Sequence, residues 1–222
     1  MTAKIGTSDE SQRSYLPAAG HDLFLPLYDP LVKLLGGDRA RRELLNQATI
    51  RAGHRILDVG CGTGSLIMEI KRFHSDVDIV GLDPDPKALG RARRKAERAG
   101  FSVQLDQGYS DELSYPEASF DRVFSCFMFH HVQEDAKGKT LREIRRVLKP
   151  GGGFHMLDFA GPESGDGFLA RLIHSGHRLK DNSEHRILSL LRSAGFTYPT
   201  IISHGTMLFL HVAYYSASVP AS

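Results

Sequence analysis

Residues 56–64 read Ile-Leu-Asp-Val-Gly-Cys-Gly-Thr-Gly, and Asp83 stands nineteen positions beyond the last of these glycines. An apolar run ending in glycines at alternate positions predicts a strand that turns tightly into a helix. The apolar run 78–82 then reads as a second strand, closed by a carboxylate. Two strands joined by a crossover helix pack in parallel, which commits the chain to an α/β sheet. Glycine has no Cβ, so the loop backbone lies open to close approach by a ligand. A carboxylate ending the second strand can accept hydrogen bonds from both hydroxyls of a ribose. These residues point to a nucleoside-bearing cofactor.

The glycine spacing separates the cofactor classes. A dinucleotide site uses G-x-G-x-x-G and receives a pyrophosphate at the helix N-terminus. Here Gly60, Gly62 and Gly64 are evenly spaced, position 65 is Ser, and Asp58 precedes the loop. An acidic residue there repels a pyrophosphate and suits a ligand carrying an ammonium group. A nicotinamide-dependent oxidoreductase is disfavoured on this ground.

Apolar patterning predicts strands at 54–59, 78–82, 102–106, 121–125 and 153–158. Helices are predicted at 38–48, 64–73, 86–99, 136–148 and 183–194, the first with Asp38 as its N-cap. Lys149-Pro150-Gly151-Gly152 reads as a helix stop before the fifth strand. Two later apolar runs, 198–203 and 207–215, are separated by His204-Gly205-Thr206 and read as a hairpin. Five parallel strands and a hairpin make a seven-stranded sheet with one antiparallel strand. Residues 1–50 are expected to form an N-terminal helical cap or lid, broken by Pro26 and Pro30, and 51–222 a single compact domain.

Composition narrows the rest. A chain of 222 residues can bury a core without metals or disulfides. Two cysteines, Cys61 and Cys126, give neither a disulfide framework nor a zinc spacing, and the eleven histidines are scattered, so no metal is expected. The net charge of +2 does not call for nucleic acid, and the basic segments 87–98 and 142–149 read as solvated helix faces. With no apolar stretch of membrane-spanning length and no signal-peptide pattern, a cytoplasmic location is expected.

At 58–64 the chain resembles the class I S-adenosylmethionine-dependent methyltransferases, whose first motif has the form D-x-G-x-G-x-G. Gly81-Leu82-Asp83-Pro84-Asp85 is similar to their second motif, and the run from Glu143 to Gly152 is similar to the signature that follows their fourth strand. The resemblance spans about residues 50–216. It implies a Rossmann-like, doubly wound, mostly parallel sheet with helices on both faces. It also implies S-adenosylmethionine as cofactor, S-adenosylhomocysteine as product, and transfer to a small-molecule acceptor.

The resemblance carries roles onto particular residues. Gly60, Cys61 and Gly62 pack against the methionine part of the cofactor, and Asp58 orients its amino group. Asp58 has a second reading as a hydrogen-bond acceptor that steadies the loop. Asp83, followed by Pro84, is the ribose ligand, while Asp85 reads as a helix N-cap. Many relatives carry Gly-Asp-Ala-x-x-Leu-Pro after strand three, where this chain has Gly108-Tyr109-Ser110-Asp111-Glu112-Leu113-Ser114. Either Tyr109 stacks on the adenine beside Gly108 with the backbone of Ser110 in polar contact, or Asp111 reaches in from the next turn.

After strand four, Ser125 and Phe127 are expected at the cofactor. His130 and His131 are candidates for a base, or for packing alone. Asp158, ending strand five, is expected to face the acceptor. Leu27-Tyr28-Asp29-Pro30 is similar to a Tyr-Asp segment of the quinone-biosynthesis C-methyltransferases, which brings Tyr28 to the cofactor. Those enzymes usually carry Arg-Asn where this chain has His130-His131. The apolar segments 15–37 and 159–182 favour a small, partly apolar acceptor, with a lipid headgroup or a protein as alternatives, as is a binding protein that transfers nothing. Monomer and homodimer are both open.

Overall fold

The computed structural model describes residues 36–160, 182–207 and 210–221. Tyr28, most of the expected lid and most of the 159–182 segment lie outside them. The described elements are α1 (Gly37–Asn46), β1 (Arg55–Val59), α2 (Ser65–Phe73), β2 (Asp78–Asp83), α3 (Pro86–Ala99) and β3 (Gln104–Gln107). There follow β4 (Phe120–Cys126), a 3-10 turn (Phe129–His131), α4 (Glu134–Val147), β5 (Leu148–Phe159), α5 (Glu184–Ser193), β6 (Thr197–Met207) and β7 (Leu210–Ser218).

The sheet has seven strands in the order β3-β2-β1-β4-β5-β7-β6. Neighbours from β3 to β5 pair in parallel, and β7 runs antiparallel to both β5 and β6. This is the expected doubly wound sheet with one reversed strand. Strand order reverses between β1 and β4, so their carboxyl ends diverge there and open the crevice in which such sheets hold ligands.

Alternation along each strand sends successive side chains to opposite faces. Ile56, Ile79, Phe124 and Leu157 meet Leu44 of α1, Leu66 and Ile67 of α2 and Leu89 of α3. Leu57, Val80, Val123 and Phe154 meet Leu141 and Ile144 of α4 and Ile187 and Leu191 of α5. Each of these aliphatic or aromatic side chains contributes about 1.5–3 kcal/mol on full burial. By the same parity Asp58 and Asp83 belong to the α1–α3 face, and Ser125 and Asp158 to the α4–α5 face.

Three local expectations are corrected. The N-cap of α1 is Gly36, not Asp38, whose carboxylate instead accepts from Arg41 Nη2 at 2.5 Å one turn on. The Lys-Pro-Gly-Gly run follows the end of α4 at Val147 but lies inside β5 rather than before it, as an irregularity between the Leu148–Phe120 and Gly153–Arg122 pairings in which Gly151 is left-handed at φ +72°. His204, Gly205 and Thr206 are not the hairpin turn. They lie in β6, paired with Ala213, Val212 and His211.

Among the described residues no helix is long and apolar enough to cross a membrane, and no cluster of three or more His, Cys, Asp or Glu could hold a metal ion. Both cysteines are free thiols. Burial pushes each thiol above its ordinary pKa.

Candidate functional site

The glycine loop is tied to β2 from below. Gly60 and Cys61 both donate their N–H to the Leu82 carbonyl, at 2.8 and 3.0 Å. Gly60, Gly62 and Gly64 all have left-handed backbones, with φ of +73, +52 and +77°. L-residues pay about 1–2 kcal/mol for that conformation, so glycine at these positions is conformational before it is functional.

The space around two of them differs. A Cβ on Gly60 would lie 2.1 Å from Met128 Cγ, so the β1 loop is pressed against the segment leaving β4. A Cβ on Gly62 would meet nothing within 4 Å. Gly60→Ala is therefore expected to destabilise the fold by about 3–5 kcal/mol in urea titrations, and Gly62→Ala by only about 1–2 kcal/mol. Equal losses in the two variants would count against this packing.

Asp83 closes the loop from the other side. One carboxylate oxygen accepts from Gly62 N–H at 2.8 Å and the other from Asp85 N–H at 2.9 Å. Burial raises its pKa to about 6 against those two N–H bonds. Asp85 performs its expected N-cap, accepting from Lys87 N–H at 2.8 Å.

Asp58 is different in kind. It is 1% exposed, and among the described residues neither carboxylate oxygen has a hydrogen-bond partner. The loop-steadying reading of Asp58 therefore finds no bond to rest on. Burial, reinforced by the charge of Asp83 and opposed by Arg41, lifts its pKa to about 7. A buried carboxylate without partners costs several kcal/mol unless it is neutral or meets a cation. A positive, hydrogen-bonding group at this point would stabilise the charged form. An ammonium fits.

Arg41, which the sequence did not single out, is a cation whose charge acts on Asp58, but it is committed elsewhere. Its guanidinium pairs with Asp38 and with buried Glu69 of α2 at 3.3 Å, and Arg42 pairs with the same Glu69. The available signal was position: Arg41 lies one turn before Leu44 and Leu45 on the buried stripe of α1. Lys95 departs from the solvated-face expectation for α3 by donating to Thr63 Oγ1 in the loop at 2.9 Å.

The remaining named residues fall in two places. Pro84, Gly108, Tyr109 and Ser110 are partly exposed at the ends of β2 and β3, with Ser110 Oγ 3.1 Å from Thr140 Oγ1. Asp111 pairs with Lys139 at 3.4 Å. On the other side of the crevice, Ser125 is wholly buried and its hydroxyl finds no partner among the described residues. Phe127, at φ +55°, packs its ring 5.0 Å from Phe159. His130 meets Asp158 through its ring at 2.5 Å, and the His131 ring lies 4.0 Å from that of His130.

Residues 56–152 match the family model described as a methyltransferase domain. Demethylmenaquinone methyltransferase of Deinococcus radiodurans is 40% identical over 143 residues, covering 63% of this chain and 58% of that protein. Its Thermus thermophilus namesake is 38% identical over 143 residues, covering 63% and 64%. The chain thus spans less than two thirds of these relatives. Among solved structures, phosphoethanolamine N-methyltransferase 2 of Haemonchus contortus, in complex with S-adenosyl-L-methionine, superposes with a TM-score of 0.77 at 16% identity, covering 91% of this chain and 58% of that one. That likeness shows the fold. With the matched sequence, the sheet order and the glycine loop, it supports reading the chain as a class I S-adenosylmethionine-dependent methyltransferase.

Proposed function

We propose that the protein binds S-adenosylmethionine and moves its methyl group to a small, partly apolar acceptor. The observation that carries this reading is the buried, unpartnered carboxylate of Asp58 beneath a glycine loop that has open space at Gly62. When bound, the cofactor supplies a methyl on a sulfonium, already activated for displacement.

The chain's own part is to hold and to exclude. Asp58 would receive the amino group, and Asp83 the ribose hydroxyls while keeping its bonds to the loop. Gly108, Tyr109 and Ser110 would border the adenine, and Tyr28 would close over from the N-terminal cap of residues 1–50. Phe127 and Phe159 supply apolar walls on the acceptor side. Positioning two reactants in line and dry accounts for most of the barrier that such a transfer must lose. The curated relatives act on quinones by name, which favours an aromatic acceptor. A cytoplasmic location, as monomer or homodimer, belongs to the same reading.

Label transfer from methyl-labelled S-adenosylmethionine into a host extract, fractionated into small molecules, lipids, protein and nucleic acid, tests the proposal. Label is expected in the small-molecule or lipid fraction. Binding of the cofactor with no label in any fraction would favour a second reading, a binding protein without transfer, which Tyr109 at the usual position of an adenine-reading Asp supports.

A further inference from the structure

Asp158 is fully buried at the carboxyl end of β5, yet among the described residues its hydrogen bonds all run to one place. One oxygen accepts the His130 backbone N–H at 3.0 Å. The other accepts the Phe159 N–H at 2.7 Å and lies 2.5 Å from His130 Nδ1. Two backbone bonds fix the carboxylate, so it cannot swing away from the ring. An acceptor-only carboxylate requires the proton on Nδ1, which leaves the lone pair of a neutral ring on Nε2.

The surroundings of that ring are aromatic. Phe159 meets it edge-on at 5.1 Å, His131 tilts over it at 4.0 Å, and Phe127 leans on Phe159. Phe127 is held in this group by a left-handed backbone, a strain that persists only where the neighbourhood enforces it. Among the described residues, the ionisable groups in contact with His130 are Asp158 from β5 and His131 from its own turn. β7, paired with the end of β5, places Ala213 and Val212 opposite Asp158 and Phe159. Met128, two residues earlier, is the side chain pressed on Gly60, so this pair adjoins the glycine loop.

We infer that His130 is a general base with Asp158 as its positioning residue, and that the acceptor is an aromatic compound with an ionisable hydroxyl; the inference rests on the methyl-transfer reading above. The acceptor O–H proton passes to Nε2 of His130. The oxygen forms the new bond to methyl as the sulfonium S–CH3 bond breaks, or the activated ring carbon does so and then loses its own proton while the oxygen regains one through solvent as aromaticity returns. The electron pair of the S–CH3 bond stays on sulfur, and His130 returns its proton to solvent. Balance needs no oxidant or reductant.

Two readouts that need no turnover test this. Nitrogen-15 spectra of histidine-labelled protein should show His130 as the Nδ1–H tautomer, and Asp158→Asn should abolish that preference. An Nε2–H tautomer in the wild type would overturn the inference. Protein loaded with S-adenosylhomocysteine should bind 2-naphthol at least about tenfold more tightly than 2-methoxynaphthalene, a difference of one hydrogen bond to a positioned group. His130→Phe should lose that preference while keeping its cofactor affinity, and His130→Gln, which retains a donor for Asp158, should lose it too. Equal binding of the two probes, or an unchanged preference in both variants, would overturn the inference. Failure of the wild type to bind S-adenosylhomocysteine would instead strike the methyl-transfer reading, and the tautomer result would remain separately readable.

Discussion

Asp83→Asn should weaken S-adenosylmethionine binding by at least about a hundredfold, the loss of two charge-assisted bonds at about 1.5 kcal/mol each. The carboxylate has two duties in this fold. It accepts Gly62 N–H and Asp85 N–H, which shapes the loop, and its remaining lone pairs are the ones offered to a ribose. An amide has only one acceptor oxygen, so one of the two backbone N–H groups would face an NH2 group. The core on the α1–α3 face does not depend on this residue, and the variant should unfold cooperatively, its thermal midpoint within a few degrees of the parent. Calorimetric titration and a thermal melt read both quantities. Retained affinity in a folded Asp83→Asn would show that the ribose is held elsewhere.

Asp58→Asn is expected to change how binding and stability depend on pH. The folded pKa of Asp58, raised to about 7, stands above its ordinary value of 3.8. The unfolded chain sheds this proton from about pH 4 upward while the folded chain keeps it to about 7, so stability falls as pH rises through that window and levels off above it. Asp83, raised to about 6, acts in the same direction over a narrower range. The cofactor-free protein should therefore melt at a higher temperature at pH 5 than at pH 8, and Asp58→Asn should remove a large part of that difference.

Binding supplies the complementary signature. An ammonium brought to Asp58 favours its ionised form, so association near pH 6 should release a proton, visible when titrations are repeated in buffers of different ionisation enthalpy. Asp58→Asn should bind about tenfold or more weakly and release less than the parent. Proton release unchanged by the substitution would place the titrating group elsewhere.

Periodicity made the sheet readable, because strands buried on both faces are nearly continuous apolar runs and their crossover helices are amphipathic. It failed where burial is one-sided. β6 is an edge strand whose Thr200, Ile202, His204 and Thr206 are exposed, so its outer half carries no apolar signal and reads as a turn at Gly205. Breakers misled in a second way at Pro150 and Gly151, which interrupt the strand register between Leu148 and Gly153 without ending the strand.

The site was legible where chemistry is local. Asp58, the glycines and Asp83 lie within one strand–helix–strand unit, and their spacing alone assigns them to one loop. The His130–Asp158 contact joins residues 28 positions apart, through the parallel register of β4 on β5, and no pattern in either segment announces it. The commitment of Arg41 to Glu69 is likewise set by how α1 docks on α2, which the sequence of neither helix states.

The most direct test is calorimetric titration of the wild-type protein with S-adenosylmethionine near pH 6, with NADH as the control. One cofactor bound per chain, with proton release and no heat from NADH, is the outcome that follows from a buried Asp58 awaiting a cation. Binding of NADH in place of S-adenosylmethionine, or S-adenosylmethionine binding that releases no proton and ignores Asp58→Asn, would contradict it.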